Sequence, residues 1–504
     1  MVLCALSALG TACSPVTGST SSHGGAVVPT STSASPTTTT LPPQPPVLPV
    51  SWAPCGGTLQ CGTVAVPLNY ADPGGTSIQI AVARQPALDP AQRLGSLVIN
   101  PGGPGDSGID DLSAELRVLT PGLLDRFDIV SFDPRGVQRS SPVECSSPSS
   151  GPSASATTPT QLPDPAPTTA AGAAALVAGE RTYAAACQRL SGSILPYLST
   201  ENTARDLDRI RQALGDAQLT FIGHSYGTLL GATYAQLYPT HVRAMVLDGA
   251  LDPAEDTDQM AVDQAKSFEA NLDAFFTWCA SNSTCPWRPV GDPTTALLTL
   301  IDRSRTTSIP VAGGPGAGPG ALYFALVAGL GASSDWPTLG RALAQAAAGN
   351  GSAVVAMSNT YAAGGSSNAG DAERAIDCLD HPVLPDPSAF PALAARAATQ
   401  APVFGPLLIW TWVGCSVWPV PASRTPAPTT ALGAPPILVT GTLHDPVTPY
   451  PWAVALAGEL ARGELVTWDG DSHVAYYYSP CIRAIDQAYL IDGTVPAAGT
   501  VCDD

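Results

Sequence analysis

Residues 219–235, LTFIGHSYGTLLGATYA, constrain the fold more than any other stretch of the chain. A short apolar run passes into Gly223-His224-Ser225-Tyr226-Gly227 and then into a segment rich in small residues with helical character. Strand, sharp turn and helix in that order are the setting in which G-x-S-x-G lifts a serine hydroxyl clear of a sheet edge. The turn needs a strained backbone at Ser225 and a close approach of strand and helix. Gly223 and Gly227 permit that approach because they carry no side chain. The same letters also occur in ordinary loops of a chain with 48 glycines, so the remaining sequence must decide what they mean.

Strands are expected on both sides of the elbow. SLVINPGG (96–103) is an apolar strand that breaks into Pro101-Gly102-Gly103-Pro104-Gly105, a turn able to aim backbone N–H groups into a cleft. No Lys-Ser or Lys-Thr follows, so it is not a phosphate loop. Residues 127–132 form a second strand, after which Asp133 and Arg135 brace a polar turn. The segment ENTARDLDRIRQALG spaces Ala204, Leu207, Ile210 and Leu214 as a helix face. HVRAMVLDG ends a further strand near Asp248. This alternation predicts an α/β fold with a mostly parallel central sheet and helices on both faces. It stops at residue 251. From 251 to about 430 the chain is alanine-rich and helix-like, broken by GGPGAGPG and GGSSNAG, which reads as an inserted helical lid. The sheet resumes at 435–449 and 463–473, so the core divides into 51–250 and 431–504.

Charge and cysteine usage narrow the setting. The net charge is −19 and Lys266 is the only lysine, which disfavours nucleic acid or an acidic membrane surface as partner. Residues 1–13 form a short apolar run ending in small residues, as in a signal peptide, and Cys13 is a lipidation candidate. No basic residue precedes that run, and Gly10 stands where a lipobox carries leucine; plain secretion is the alternative. Residues 14–50 hold no charged or aromatic residue and read as a flexible Ser/Thr/Pro-rich tether, so a membrane enters only through an N-terminal lipid anchor. The ten remaining cysteines, Cys55, Cys61, Cys145, Cys187, Cys279, Cys285, Cys378, Cys415, Cys481 and Cys502, fall in chain order into five neighbouring pairs. An even number without a C-x-x-C points to disulfides and an oxidising compartment, with no metal and no cofactor. Residues 146–172 are expected to be a floppy excursion closed at its base if Cys145 pairs with Cys187.

A serine hydroxyl needs a base, and the base needs an acid to hold its tautomer. On such a sheet the partners come in the order serine, acid, histidine, each just past a later strand. Of the histidines, His473 alone follows the last strand; His23, His224, His241, His381 and His444 are placed elsewhere. Asp445, one strand earlier, is the expected acid, with Asp248 as the alternate. The backbone N–H groups of Gly103 and Tyr226 would hold the oxyanion.

Several further stretches stand in a characteristic order: NPGGPGDSG, DIVSFDPRG, the elbow with its helix, FFTWCASNSTC, AIDCLD, TGTLHDPVTP and the tail from SHVAYYYSPC to Cys502. With these the chain resembles the tripeptidyl aminopeptidase-like branch of the proline iminopeptidase family, serine α/β-hydrolases of actinobacteria that include exported mycobacterial cell-envelope hydrolases. The resemblance implies the triad Ser225, Asp445 and His473, and cleavage of amide or ester bonds near a free N-terminus. The expected substrate is thus a peptide, or an ester if the chain is a carboxylesterase; an inactive binding protein would show a broken triad. Two positions depart from the family pattern. Gln138 stands where its turn usually has glycine, and Val474 replaces the glycine common after the histidine. A carboxylate is needed to hold a substrate amine, and the run Asp252, Glu255, Asp256, Asp258 is either that or a capped helix start.

Overall fold

The computed structural model describes residues 42–145, 162–363 and 368–504. The expected signal sequence with Cys13, most of the tether, and residues 146–161 of the excursion lie outside the described residues.

Ten strands form one sheet: β1 (Ala53–Gly56), β2 (Leu59–Pro67), β3 (Ser77–Gln85), β4 (Gly95–Asn100), β5 (Phe127–Phe132), β6 (Leu219–His224), β7 (Val242–Asp248), β8 (Ile437–Thr442), β9 (Gly463–Trp468) and β10 (Val501–Cys502). Their order is β1-β2-β3-β5-β4-β6-β7-β8-β9-β10. Pairing is antiparallel from β1 to β5 and parallel from β5 through β10. The central strands are apolar on both faces, as strands covered on both sides must be. Leu97, Ile99, Ile129, Ile222 and Val246 fill one side, while Val98, Val130, Phe221 and Leu247 fill the other.

Helices α1 (Gly108–Val118), α2 (Pro121–Arg126), α3 (Ala170–Ser191), α4 (Thr200–Leu214) and α5 (Tyr226–Leu237) precede the insertion. The lid contains α6 (Thr257–Ser281), α7 (Pro293–Thr306), α8 (Pro319–Leu330), α9 (Trp336–Ala347), α10 (Ser352–Ala363), α11 (Ala369–Asp380), α12 (Phe390–Ala398) and α13 (Phe404–Thr411). Two helices close the chain, α14 (Tyr450–Glu459) and α15 (Pro480–Asp492). Local sequence explains their limits. Ser199 caps α4 by accepting from Asn202 N–H, Gly215 ends it at φ 81°, and Ala204, Leu207 and Ile210 are its buried face. Asp256 caps α6 by accepting from Gln259 N–H, so the acidic run at 252–258 is a helix start. No helix among the described residues is long and apolar enough to cross a membrane.

The insertion leaves the sheet after β7 and returns at β8, with its own core of Phe268, Leu272, Phe275, Leu322, Leu339 and Phe404. Three boundaries differ from the sequence-based expectation. First, the tether does not run to residue 50: Val50 is buried and donates its N–H to Ala213 O, and Gln44 bonds Tyr70 O. Second, residues 162–172 are not a floppy excursion; Asp164 pairs with Arg305 at 2.8 Å, Ala166 is buried in the lid core, and α3 begins at Ala170. Third, Ala173, Leu176 and Val177 of α3 pack against that same core, so part of 51–250 belongs to the lid in space. An apolar helix face must be covered by another element, and α3 covers part of the lid core.

The polar turn after β5 is a brace. Arg135 is fully buried, donates to Asp206 of α4 at 2.6 and 2.7 Å, and bonds the carbonyls of Pro67, Leu68 and Tyr197. Asp133 accepts from Ser107 and Arg139. Disulfides join Cys55–Cys61, Cys145–Cys187, Cys279–Cys285, Cys378–Cys415 and Cys481–Cys502.

Candidate active site

Ser225 sits between β6 and α5 at φ 54°, ψ −123°, a region that a residue with a Cβ occupies only under strain. The neighbours hold it there. Ser225 N–H donates to Asp248 O at 2.9 Å, and its carbonyl accepts from Thr228 N–H and Oγ1. A Cβ on Gly223 would stand 2.2 Å from Gly227 O, and one on Gly227 would stand 2.6 Å from Asn100 O. Strand, elbow and helix are therefore packed backbone to backbone, and a side chain at either position would pry them apart.

The glycine-rich turn after β4 lies against this elbow. A Cβ on Gly102 would come 3.0 Å from Ser225 Cβ and 3.5 Å from Tyr226 N, so Gly102 makes the close contact, while Gly103 is exposed beside it. Neither Gly103 N–H nor Tyr226 N–H donates to an acceptor among the described residues. The Tyr226 ring is buried beneath, its hydroxyl sharing a hydrogen bond with Thr200, which also bonds Asp380 of α11.

Asp445 lies in the turn after β8 and is fully buried. Its carboxylate accepts from the N–H groups of Val447 and Thr448 at 2.8 and 2.9 Å and from Thr448 Oγ1 at 3.0 Å. His473 Nδ1 lies 2.9 and 3.0 Å from the two Asp445 oxygens. Burial by itself would lower the His473 pKa; the charge and hydrogen bond of Asp445, with the charge of Asp248, outweigh it and raise it above the usual imidazole value. An imidazole oriented through Nδ1 presents Nε2 as the proton acceptor. No hydrogen bond joins Ser225 Oγ to His473 among the described residues; catalytic contacts of this kind tighten in the complex with substrate. Their loops share one rim: a Cβ on Gly249, next to the Asp248 carbonyl that holds Ser225 N–H, would lie 3.2 Å from His473 Cε1.

Asp248, the alternate acid, does not reach the imidazole through a hydrogen bond. Its buried carboxylate accepts from Ala475 and Tyr476 N–H at 3.1 and 2.7 Å and so holds the backbone after His473. The other histidines have separate surroundings. His224 is buried with Nδ1 2.9 Å from Tyr477 Oη, His241 pairs with Asp208, His444 is exposed 4.0 Å from Asp469, and burial drops the pKa of His381 to about 3. Both departures from the family glycine pattern fall at left-handed positions, Gln138 at φ 39° and Val474 at φ 65°.

Two groups escape a reading of the sequence. Thr448, three residues after Asp445, touches both the acid and His473 Nδ1; its spacing within an Asp-Pro-Val-Thr turn is the available signal. The second is α11, whose Glu373 and Asp377 stand on a helix that packs against the glycine-rich turn. A Cβ on Gly105 would lie 2.5 Å from Ala369 O and 2.8 Å from Glu373 N, so α11 rests on the glycine-rich turn. Burial raises the pKa of Asp106, Glu373 and Asp377; the charge of Asp106 adds to the rise at Glu373, and that of Glu373 to the rise at Asp377. Glu373 is exposed to solvent. Nothing in the sequence around Glu373, two residues before AIDCLD, marks its helix as packing on the glycine-rich turn.

Comparison with known proteins agrees with this architecture. Residues 95–291 match the family model described as alpha/beta hydrolase fold, and residues 401–502 match the one described as TAP-like protein. The chain is 35% identical to serine protease Hip1 of Mycobacterium tuberculosis (strain ATCC 25618 / H37Rv), over 90% of this chain and 91% of that protein. It is 33% identical to carboxylesterase B of the same organism, over 88% of this chain and 86% of that protein. It is 31% identical to the tripeptidyl aminopeptidase of Streptomyces lividans, over 90% and 86%. With strand order, elbow and relatives in agreement, the chain belongs to the α/β-hydrolase family, in its TAP-like branch, and is a serine hydrolase.

Proposed function

We propose that this chain is an exported aminopeptidase that releases short peptides, of tripeptidyl type, from N-termini through a Ser225–His473–Asp445 triad and an acyl-enzyme. The observation that carries the reading is the strained Ser225 elbow on the same rim as the Asp445–His473 pair. In the proposed reaction Ser225 Oγ attacks the scissile carbonyl and gives its proton to His473 Nε2. Asp445 stays ionised and holds the Nδ1 proton. The N–H groups of Tyr226 and Gly103 donate to the developing oxyanion. His473 then protonates the leaving amine, and a water activated by the same imidazole hydrolyses the ester at Ser225.

Glu373 and Asp377 support the choice of a peptide with a free N-terminus. A substrate acyl chain leaving Ser225 towards α11 brings its α-ammonium to two carboxylates that have neither hydrogen bond nor ion pair among the described residues. The 31% identity to a tripeptidyl aminopeptidase supports the same choice, and the 33% identity to carboxylesterase B supports an esterase as second reading. The five disulfides support export, with Cys13 as lipid anchor or with plain secretion. Comparing kcat/KM on tripeptidyl chromogenic amides, their N-acetylated forms and short acyl esters tests the reading. The free-amine amides should be the best substrates; turnover of esters alone would make the chain a carboxylesterase.

A further inference from the structure

Three side chains of α6 reach the turn that carries Asp445. Gln264 Nε2 donates to Val447 O at 2.7 Å, Ser267 Oγ to Asp445 O at 2.5 Å, and Asn271 Nδ2 to His444 O at 3.1 Å. Their spacing places them on one face of the helix. Ala261, Ala265, Phe268, Leu272 and Phe275 of the same helix are buried in the lid core. The polar residues thus form a stripe of their own, aimed at three carbonyls of one short turn. On the opposite side of that turn, Val447 N–H, Thr448 N–H and Thr448 Oγ1 grip the Asp445 carboxylate, which in turn meets His473 Nδ1. A second lid segment touches the other loop: His473 N–H donates to Gly331 O at 3.0 Å, and Ala332 and Ser472 form an antiparallel bridge.

We propose that Gln264, Ser267 and Asn271 are positioning residues for Asp445, so that docking of the lid helix is part of assembling the triad. The inference rests on the proposed roles of Ser225, Asp445 and His473. The physical chain is short. Helix α6 fixes the carbonyls of the turn, the turn fixes the carboxylate, and the carboxylate fixes the imidazole. If α6 withdraws, the three carbonyls turn to water and the carboxylate loses its aim. A displacement of about 1 Å at a catalytic group costs as much as ~10²-fold in rate.

The test uses the full chain carrying Gln264→Ala, Ser267→Ala and Asn271→Ala, singly and together, with concentrations normalised by active-site titration. The triple variant should lose about 10- to 100-fold in kcat with little change in KM. The acidic limb of its kcat/KM profile should also move to lower pH. Asp445 and Asp248 are the carboxylates that raise the His473 pKa, and an Asp445 that has drifted away raises it less. Ser267→Thr, which keeps the hydroxyl, should restore much of what Ser267→Ala loses. A lid that merely stabilises the fold would lower the titratable fraction and leave the limb in place; that result, or unchanged kcat and limb, overturns the inference. If the triple variant does not fold, Ser267→Ala alone decides through the same limb. Asp445→Asn run in parallel separates the two claims. Full activity in that variant overturns the triad, whereas its inactivity beside unaffected α6 variants overturns only the positioning role.

Discussion

Ser225, Asp445 and His473 each stand within five residues of the end of a parallel strand, β6, β8 and β9. Glu373 and Asp377 ride instead on α11, an insertion helix whose Ala375, Ile376 and Leu379 pack against Tyr226 and Leu229 of α5. The first set is held by the register of hydrogen-bonded neighbours: Val439 pairs with Leu465 and Leu247 pairs with Val439, so the loop ends cannot slide independently. The second set is held by side-chain packing, which changes with each substitution on the lid. Strand-end positions thus suit groups that must meet within fractions of an ångström, and a helical cap suits groups that select among substrates. The α6 stripe and the Gly331 carbonyl join the two regions.

The sharpest break of this contrast lies on the rim. Ser225→Ala should lower kcat by ~10⁴-fold or more while leaving the melting curve and substrate binding near those of the parent. Asp445→Asn should cost about 10⁴-fold, because an amide permits the wrong His473 tautomer. The parent kcat/KM should rise with pH through a His473 pKa above the usual 6.5, since only the neutral imidazole accepts the serine proton.

Lid substitutions should behave differently. Glu373→Gln with Asp377→Asn should raise KM for free-amine substrates by about 10- to 100-fold, the scale of one lost charge-assisted hydrogen bond, and spare N-acetylated ones. As pH falls, protonation of Glu373, whose pKa is raised, removes its counter-charge. Free-amine substrates should therefore lose kcat/KM more steeply than N-acetylated ones below neutrality. Equal losses for both substrate classes would show that α11 does not read the amine. Replacing Cys378 and Cys415 by serine unties α11 from the segment after α13 and should cost ~2–4 kcal/mol of stability, read by denaturant melts. The smallest effect is expected at Gln138→Gly. Glycine tolerates the φ of 39° but gains chain entropy when unfolded, so the net change should stay within about 1 kcal/mol.

Much of the rim is legible in the order of residues alone. Glycines on either side of Ser225 demand a backbone-to-backbone contact, and that contact is present at Gly223 and Gly227. The cysteines pair in chain order, as their arrangement suggests. The lid is legible only as an interruption of the strand-helix alternation. Its alanine-rich helices have nothing local to say which of their faces meets the sheet. For that reason the sequence offers the acidic run at 252–258 either as an amine site or as a capped helix start, and Asp256 is the cap of α6. Asp248, the alternate acid, ends a central strand, and which groups its carboxylate meets is equally silent in the sequence: its hydrogen-bond partners are the N–H groups of residues 475 and 476.

The linear order of residues is enough to nominate the side chains proposed for the chemistry, because strand periodicity, glycine spacing and the position of a residue just past a strand are short-range properties. Only folding in three dimensions decides that Thr448 and α6 hold Asp445 from opposite sides of its turn, that α3 joins the lid, and that Glu373 looks over the glycine-rich turn. Those contacts bridge up to 268 positions of chain, from Gly105 to Glu373, and loop closure over such distances leaves almost no trace in local composition.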